Sequence, residues 1–202
     1  MEIEYKNKEI KLDRVISVID EFVLDFLRIL HELNIKYVII SGYVVLLFGR
    51  QRITEDVDIF LEDLDDDKLK NLFDMVQNDW WIINAPSLNT FKMLYKEGSA
   101  WCIAKKDSIA PNMEVKKPKS ELDLFSLNNY IKVLLNKKHE VNISPLELQI
   151  AYKLFLGSNK DLEDARWLYN IFKDKLDMGK VAYFARKLNV SNKINLLGGF
   201  NG

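Results

Sequence analysis

Two stretches of the sequence decide the fold: residues 36–42 read KYVIISG, and residues 56–61 read DVDIFL. The first is a short apolar, β-branched run that ends in a small-residue turn, which predicts a buried strand followed by a sharp change of direction. Val44 to Phe48 then suits a short helix, which Gly49 would end. A helix that begins just after Ser41-Gly42 presents free backbone N–H groups, and these groups with the Ser41 hydroxyl can hold a triphosphate.

The second stretch predicts a strand that carries two carboxylates on one face. Val57 and Ile59 share one face, and Asp56 and Asp58 share the other. Residues two apart on a strand are separated by roughly 6.6 Å, so both carboxylates can converge on one or two divalent ions. Asp-Val-Asp alone would indicate a solvent-facing strand edge, but a strand, a small turn, a short helix and an acidic strand in this order point to nucleotidyl transfer.

These residues resemble the DNA polymerase β-like nucleotidyltransferase superfamily, whose signature is a Gly-Gly or Gly-Ser turn followed by Asp-x-Asp between apolar residues. They are most similar to its small prokaryotic branch of minimal, abortive-infection and toxin–antitoxin nucleotidyltransferases. The resemblance implies that Arg52 and Thr54, after Gly49, belong to the nucleotide-binding set. The chain departs from the signature at the turn, where it reads Ser41-Gly42-Tyr43.

A third carboxylate is expected from a neighbouring strand. Residues 121–125 read ELDLF, and this alternation predicts a strand, with a helix to follow over residues 128–135. The resemblance implies that Asp123, between Leu122 and Leu124, completes the metal site with Asp56 and Asp58 or accepts the proton of the attacking hydroxyl. Glu114 and Glu121 are the alternatives.

Residues 144–147, SPLE, predict a capping box and a helix that runs to Leu156. Apolar residues surround this helix except for a narrow polar strip formed by Gln149 and Lys153. The resemblance implies that Lys153 neutralises triphosphate charge and that Asp161, in the segment KDLED of residues 160–164, is a further nucleotide-binding residue. The alternatives are a solvated lysine and acids that stabilise the first turn of a helix.

Composition narrows the class of protein. The chain has 202 residues, 48% of them hydrophobic, which allows one sizeable core or a catalytic domain with a helical appendage. A net charge of −1 provides no general attraction to nucleic acid, although residues 105–119, expected as a loop or hairpin, contain five lysines. A single cysteine, the lack of a signal pattern and the lack of a long apolar run predict a soluble, cytoplasmic protein with no membrane partner.

We therefore expect an α/β fold in which helices flank a small mixed sheet. Residues 1–143 would form the catalytic domain and residues 144–202 a C-terminal helical bundle. The expected reaction transfers NMP from an NTP, with Mg²⁺ or Mn²⁺, to a hydroxyl on tRNA or protein, and an antitoxin is a possible partner. One alternative is an aminoglycoside-type transferase, whose cationic acceptor would need an acidic pocket such as Glu62, Asp63 and Asp65. The other is a non-catalytic module that binds a nucleotide or an antitoxin.

Overall fold

The computed structural model describes residues 1–198, and these residues form a mixed α/β structure. Its strands are β1 (Glu2–Lys6), β2 (Glu9–Asp13), β3 (Tyr37–Ile39), β4 (Asp56–Leu61), β5 (Trp80–Ile82), β6 (Trp101–Lys105), β7 (Asn112–Lys116), β8 (Ile131–Leu135) and β9 (His139–Ile143). Its helices are α1 (Val18–Glu32), α2 (Gly42–Leu47), α3 (Asp66–Val76), α4 (Leu88–Glu97), α5 (Glu121–Asn128), α6 (Leu146–Leu156), α7 (Asn159–Phe172) and α8 (Met178–Lys187), followed by a 3₁₀ helix (Ser191–Leu197).

All of these strands join one sheet in the order β1-β2-β8-β9-β3-β4-β7-β6-β5. Three neighbouring pairs are parallel, namely β2 with β8, β3 with β9, and β4 with β7, and the other pairs are antiparallel. The expected mixed sheet flanked by helices is confirmed. The sheet is larger than the sequence indicated, because β1, β2, β8 and β9 extend it beyond β3.

The two faces of β4 have different surroundings, and this difference positions the site. Val57 and Ile59 are completely buried in the main hydrophobic core, which also contains residues of α1, α3 and α4. Phe60, on the opposite face, packs with Val38 and with Leu127 of α5 in a smaller cluster. Since side chains alternate along a strand, Asp56 and Asp58 lie on the same face as Phe60. The carboxylates therefore lie on the face that α5 covers.

Several local expectations are wrong. Apolar residues at helical spacing over residues 12–33 predict an amphipathic helix, but this helix begins only at Val18, because Ser17 and Asp20 form its capping box and residues 9–13 pair in the sheet. Residues 121–125 form the start of α5 and not a strand, and residues 131–135 form β8 and not a helix. The expected capping box at residues 144–147 is absent, since α6 has no side-chain cap and Glu147 accepts a hydrogen bond from the backbone N–H of Asp177 at 3.2 Å.

After β9, the described part of the chain is helical, as expected, and residues 199–202 of the expected bundle lie outside that part. The main hydrophobic core contains Phe48, at the C-terminal end of α2, together with Leu154 of α6 and Leu168 of α7. The division of the chain at residue 143 therefore stays a prediction. Within residues 1–198, none of the helices is both long enough and apolar enough to cross a lipid bilayer.

Candidate active site

A cluster of three carboxylates lies where β4 and β7 run side by side. Asp58 is paired with Glu114 across the parallel register, and Asp56 lies two residues before Asp58 on the same face. One ligand oxygen from each of the three side chains can be chosen so that all lie within 4.8 Å of one another. Asp56 is exposed, and the other two residues are half-buried. Carboxylate oxygens are the ligands that Mg²⁺ and Mn²⁺ prefer, so the chemistry of this cluster fits such an ion.

Glu114 thus takes the place that we expected for Asp123, on the strand beside Asp56 and Asp58. Asp123 is the third residue of α5, where its carboxylate accepts hydrogen bonds from the backbone N–H groups of Lys119 at 3.0 Å and Ser120 at 2.9 Å. Ser120 and Asp123 form a capping box, and this S-x-x-D pattern is a helix signal that the short alternation of residues 121–125 obscured.

Lys116 forms ion pairs with two of the three carboxylates. Its Nζ lies 2.6 Å from Oδ1 of Asp58 and 3.0 Å from Oε2 of Glu114. Burial raises the pKa of Glu114, the hydrogen bond from Lys116 lowers it, and the neighbouring Asp58 raises it, with a net increase. Burial lowers the pKa of Lys116, but Asp58 and Glu114 outweigh burial and raise it overall. The cluster therefore stabilises a cation at this position, as a metal site must.

The Ser41-Gly42 turn lies at the end of β3, next to β4. The backbone N–H of Ile40 donates to the Asp58 carbonyl at 3.0 Å, which ties the turn to the acidic strand. Ser41 has φ 62° and ψ −129°, a conformation that non-glycine residues rarely adopt, and its side chain does not cap α2. A Cβ at Gly42 would meet Nη2 of Arg52 at 2.6 Å, so glycine is needed here for the guanidinium to approach the turn.

Tyr43, where the chain departs from the signature, is explained by a contact with α1. Tyr43 is completely buried, and its hydroxyl donates to Oδ1 of Asp20 at 2.7 Å. Burial raises the pKa of Asp20, but hydrogen bonds from Arg14, Ser17 and Tyr43 outweigh burial and lower it overall. Asp20 is fully buried and is also paired with Arg14 at 2.7 Å. The bulky side chain therefore points away from the carboxylates and anchors α2 to α1.

A buried network of charges joins the loop before β4 to the C-terminal helices. Asp164 of α7 has no exposed surface and accepts hydrogen bonds from Arg50 and Arg52. Nζ of Lys153 lies 2.9 Å from Asp164 and 2.8 Å from Asp161. Lys153 is only 2% exposed, so this residue of the polar strip expected on α6 is buried against α7. This network brings together Arg52, Lys153 and Asp161, which the resemblance had assigned to nucleotide binding.

The charges of this network interact with those of the carboxylates. Burial and the charge of Arg50 lower the pKa of Arg52, whereas Asp161, Asp56 and Asp58 oppose that decrease. Burial also lowers the pKa of Lys153, and Asp161 and Asp58 oppose it. The side chain of Arg52 in addition donates to Oγ1 of Thr54 at 3.3 Å. The loop, the turn and the two strands therefore form one electrostatic site.

Comparison with solved structures identifies the fold. The chain aligns with an antigenic nucleotidyltransferase-like protein from Paracoccidioides brasiliensis over 91% of its own length and 94% of the other chain, with a TM-score of 0.53 and 17% identity. It aligns with ANT(2″)-Ia in complex with adenylyl-2″-tobramycin over 86% of its length and 98% of that chain, with a TM-score of 0.51 and 11% identity. The chain has the nucleotidyltransferase fold. No protein-family model and no curated protein matches the sequence.

A solution structure of the antibiotic-resistance factor ANT(2″)-Ia gives the same result, with a TM-score of 0.50 and 11% identity over 86% of this chain and 93% of that one. At these identities the likeness concerns the nucleotidyltransferase fold only.

Two polar residues of the site were not assigned to it from the sequence. Glu114 was only an alternative third carboxylate, and Lys116 was one of five lysines in an expected loop or hairpin, although residues 112–116, NMEVK, alternate as a strand does.

Proposed function

We propose that this protein is a metal-dependent nucleotidyltransferase that transfers NMP from an NTP to a hydroxyl group. The observation that carries the proposal is the convergence of Asp56, Asp58 and Glu114 on two parallel strands, beside the Ser41-Gly42 turn. A bound Mg²⁺ or Mn²⁺ would supply charge neutralisation for the reacting phosphate. Asp56 and Asp58 would hold the ion from one strand, and Glu114 would complete the set in place of Asp123.

The reaction is a displacement at the α-phosphorus of the NTP. The acceptor oxygen forms a bond to phosphorus, the bond from phosphorus to the oxygen that bridges the α- and β-phosphates breaks, and pyrophosphate leaves. The hydroxyl proton passes to a carboxylate of the cluster, and Glu114, opposite Asp58 on the neighbouring strand, would accept it. The protein's contribution is mainly to position the reactants and to stabilise negative charge.

The triphosphate would bind between the turn and the buried cations. Arg52 reaches the turn at Gly42, and Lys153 lies in the same ionic network. Ion pairs with Asp164, and for Lys153 also with Asp161, already fix both side chains, so binding of the nucleotide requires no further loss of their conformational entropy. In this arrangement Thr54 and Asp161 are positioning residues, since Thr54 accepts a hydrogen bond from Arg52 and Asp161 accepts one from Lys153.

The acceptor is either a macromolecule or a small molecule. A tRNA or protein acceptor, and with it a role as the toxin of a toxin–antitoxin pair, rests on the sequence resemblance. A small-molecule acceptor has support in the fold shared with ANT(2″)-Ia, which was solved with adenylyl-2″-tobramycin. The acids proposed for a cationic acceptor are already engaged, because Glu62 pairs with Lys68 at 2.7 Å, Asp63 pairs with Lys117 at 2.6 Å, and Asp65 caps α3.

An α-³²P-labelled NTP panel tests the proposal. Each NTP is incubated with the protein and Mg²⁺ or Mn²⁺ in the presence of total tRNA, a protein mixture or aminoglycosides, and label on the acceptor is measured. We expect transfer by the wild type and none by Asp56→Asn/Asp58→Asn. Thermal shift with NTP and metal provides a second readout, since a ligand that binds only the folded state stabilises it. Binding with no transfer to any acceptor would support the non-catalytic alternative, and an absence of metal-dependent binding would refute the proposal.

A further inference from the structure

A pocket lies between α5, α6 and the face of the sheet that carries the carboxylates. Its walls are formed by Phe60 of β4, by Leu122 and Ser126 of α5, and by Leu148, Gln149 and Tyr152 of α6. Small-molecule sites in proteins are of this kind, with mostly apolar walls and a few polar groups that fix the orientation of the ligand.

Two polar side chains in the wall of this pocket are buried without partners. Ser126 is 2% exposed and Gln149 is 3% exposed. Within residues 1–198, neither Oγ of Ser126 nor Nε2 of Gln149 has a hydrogen-bond partner in the protein. Buried polar groups are nearly always hydrogen-bonded, because an unmade bond has a considerable cost in free energy. Two such groups in one pocket can be satisfied by a ligand that has a hydrogen-bonding edge.

The mostly apolar pocket continues into a groove that is lined by several charged residues. Ile40, Ser41, Phe60, Asp123 and Tyr152 line both, and the groove adds Asp58 and three lysines. These lysines are Lys116, Lys117 and Lys119. A ligand that fills both parts needs anionic groups at one end, and at the other end a flat apolar body with a hydrogen-bonding edge. A nucleotide has this distribution of chemistry, since its phosphates are anionic and its base has two apolar faces and a polar edge.

We propose that this pocket binds the base of the NTP, with Gln149 and Ser126 hydrogen-bonded to its edge and Tyr152 against its face. The inference rests on the proposed function, because it takes the phosphates of the same NTP to lie beside Asp58 and the Ser41-Gly42 turn, and Ser41 lines both the pocket and the groove. Gln149 Nε2 donates to a ring nitrogen or carbonyl of the base, and the Ser126 hydroxyl donates or accepts. Phe60 and Tyr152 provide aromatic surface for the base.

The test compares each NTP with inorganic tripolyphosphate, which has the same phosphate chain and no base. Binding is measured calorimetrically with Mg²⁺ present, for ATP, GTP, CTP, UTP and tripolyphosphate. We expect the preferred NTP to bind at least about tenfold more tightly than tripolyphosphate, from base stacking and two hydrogen bonds. Ser126→Ala and Gln149→Leu should each weaken NTP binding by about three- to tenfold and leave tripolyphosphate binding unchanged.

Matched variants separate a role in binding from a role in folding. Removing an unpartnered buried polar atom does not destabilise the fold, so both pocket variants should melt at or above the wild-type temperature. Gln77→Leu, at an exposed position, is the control for Gln149→Leu. Tyr152→Leu should weaken NTP binding about five- to fiftyfold. Tyr183→Leu, which removes a tyrosine of similar exposure on α8, should leave that binding unchanged.

The outcomes distinguish failure of the pocket from failure of the proposed function. If neither NTP nor tripolyphosphate binds with metal, the proposed function fails, and the pocket inference fails with it. If both bind equally well to the wild type, or if the pocket variants weaken both to the same extent, the proposed function survives and the pocket does not hold the base. If the variants reduce transfer to the acceptor without changing NTP binding, the pocket belongs to the acceptor and the inference is overturned.

Discussion

Replacement of Asp164 by asparagine tests whether the buried ionic network holds the C-terminal helices to the loop before β4. The Asp164 side chain has no exposed surface, and its cationic partners Arg50, Arg52 and Lys153 expose only 14%, 10% and 3% of their side chains. Asparagine has nearly the same volume, so the change removes charge and leaves packing intact. The three cations are then left with Asp161 and Glu163 as their acidic partners in the network.

Removing one partner of a buried ion pair costs about 3–5 kcal/mol, because the remaining charge is buried without compensation. We therefore expect Asp164→Asn to lower the free energy of unfolding by about 3–5 kcal/mol. For a chain of this size each kcal/mol lowers the melting temperature by about 2–4 °C, so the decrease should be about 6–20 °C. Urea unfolding followed by fluorescence of the four tryptophans gives the free energy, and calorimetry gives the melting temperature.

Glu163→Gln is the matched control in the same network. Glu163 also pairs with Arg50, but 60% of its side chain is exposed. An exposed ion pair contributes about 0–1 kcal/mol, so this variant should unfold almost as the wild type does. A difference of less than about 1 kcal/mol between Asp164→Asn and Glu163→Gln would refute the reasoning, because it would mean that burial of the charge has no energetic consequence.

Three further predictions concern the carboxylates and the anchor of α2. Glu114→Gln should lower the transfer rate by about 100-fold or more in the labelled-NTP assay, and Asp123→Asn should not; the opposite result would return the third-carboxylate role to Asp123. Lys116→Met should tighten Mn²⁺ binding about tenfold, as measured by calorimetry, because it removes a cation that competes for Asp58. Lys117→Met is the control, since Lys117 pairs with Asp63, and it should leave Mn²⁺ binding unchanged. The pKa of Asp20 is lower in the folded state than in the unfolded state, so the ionised side chain stabilises the fold above about pH 4, and this stabilisation is lost as the pH falls through the folded pKa. Asp20→Asn should therefore be less stable than the wild type at pH 7. Urea unfolding should show that this difference in stability shrinks toward pH 3.

Local patterns in the sequence were sufficient for the centre of the site. The apolar run of residues 36–40, the small turn and the alternation of residues 56–61 predicted β3, α2 and β4, and β4 has the expected bounds. These features depend on contacts between residues that are close in sequence, so propensity and periodicity are enough to indicate them.

Pairing between distant strands was beyond such patterns. Glu114 joins Asp56 and Asp58 only because β7 lies parallel to β4 in a register that places Glu114 opposite Asp58. Residues 112–116 and residues 121–125 both alternate between apolar and polar side chains. The first segment forms β7, whereas the second begins helix α5, which Ser120 caps. Which of the two segments lies beside β4 is decided by the pairing of strands across the sheet, and no local rule contains that information.

The sequence by itself determined the two aspartates, the turn that precedes them and the class of fold, because each is encoded within one short unit of strand, turn, helix and strand. The tertiary structure alone decided which acid stands beside those aspartates, and that Tyr43 points into the core toward Asp20. It also decided that Lys153 is buried against Asp164 and that Ser126 and Gln149 meet in one pocket. The physical reason is that these contacts join elements far apart in the chain, and their geometry is set by the packing of the whole sheet with its helices.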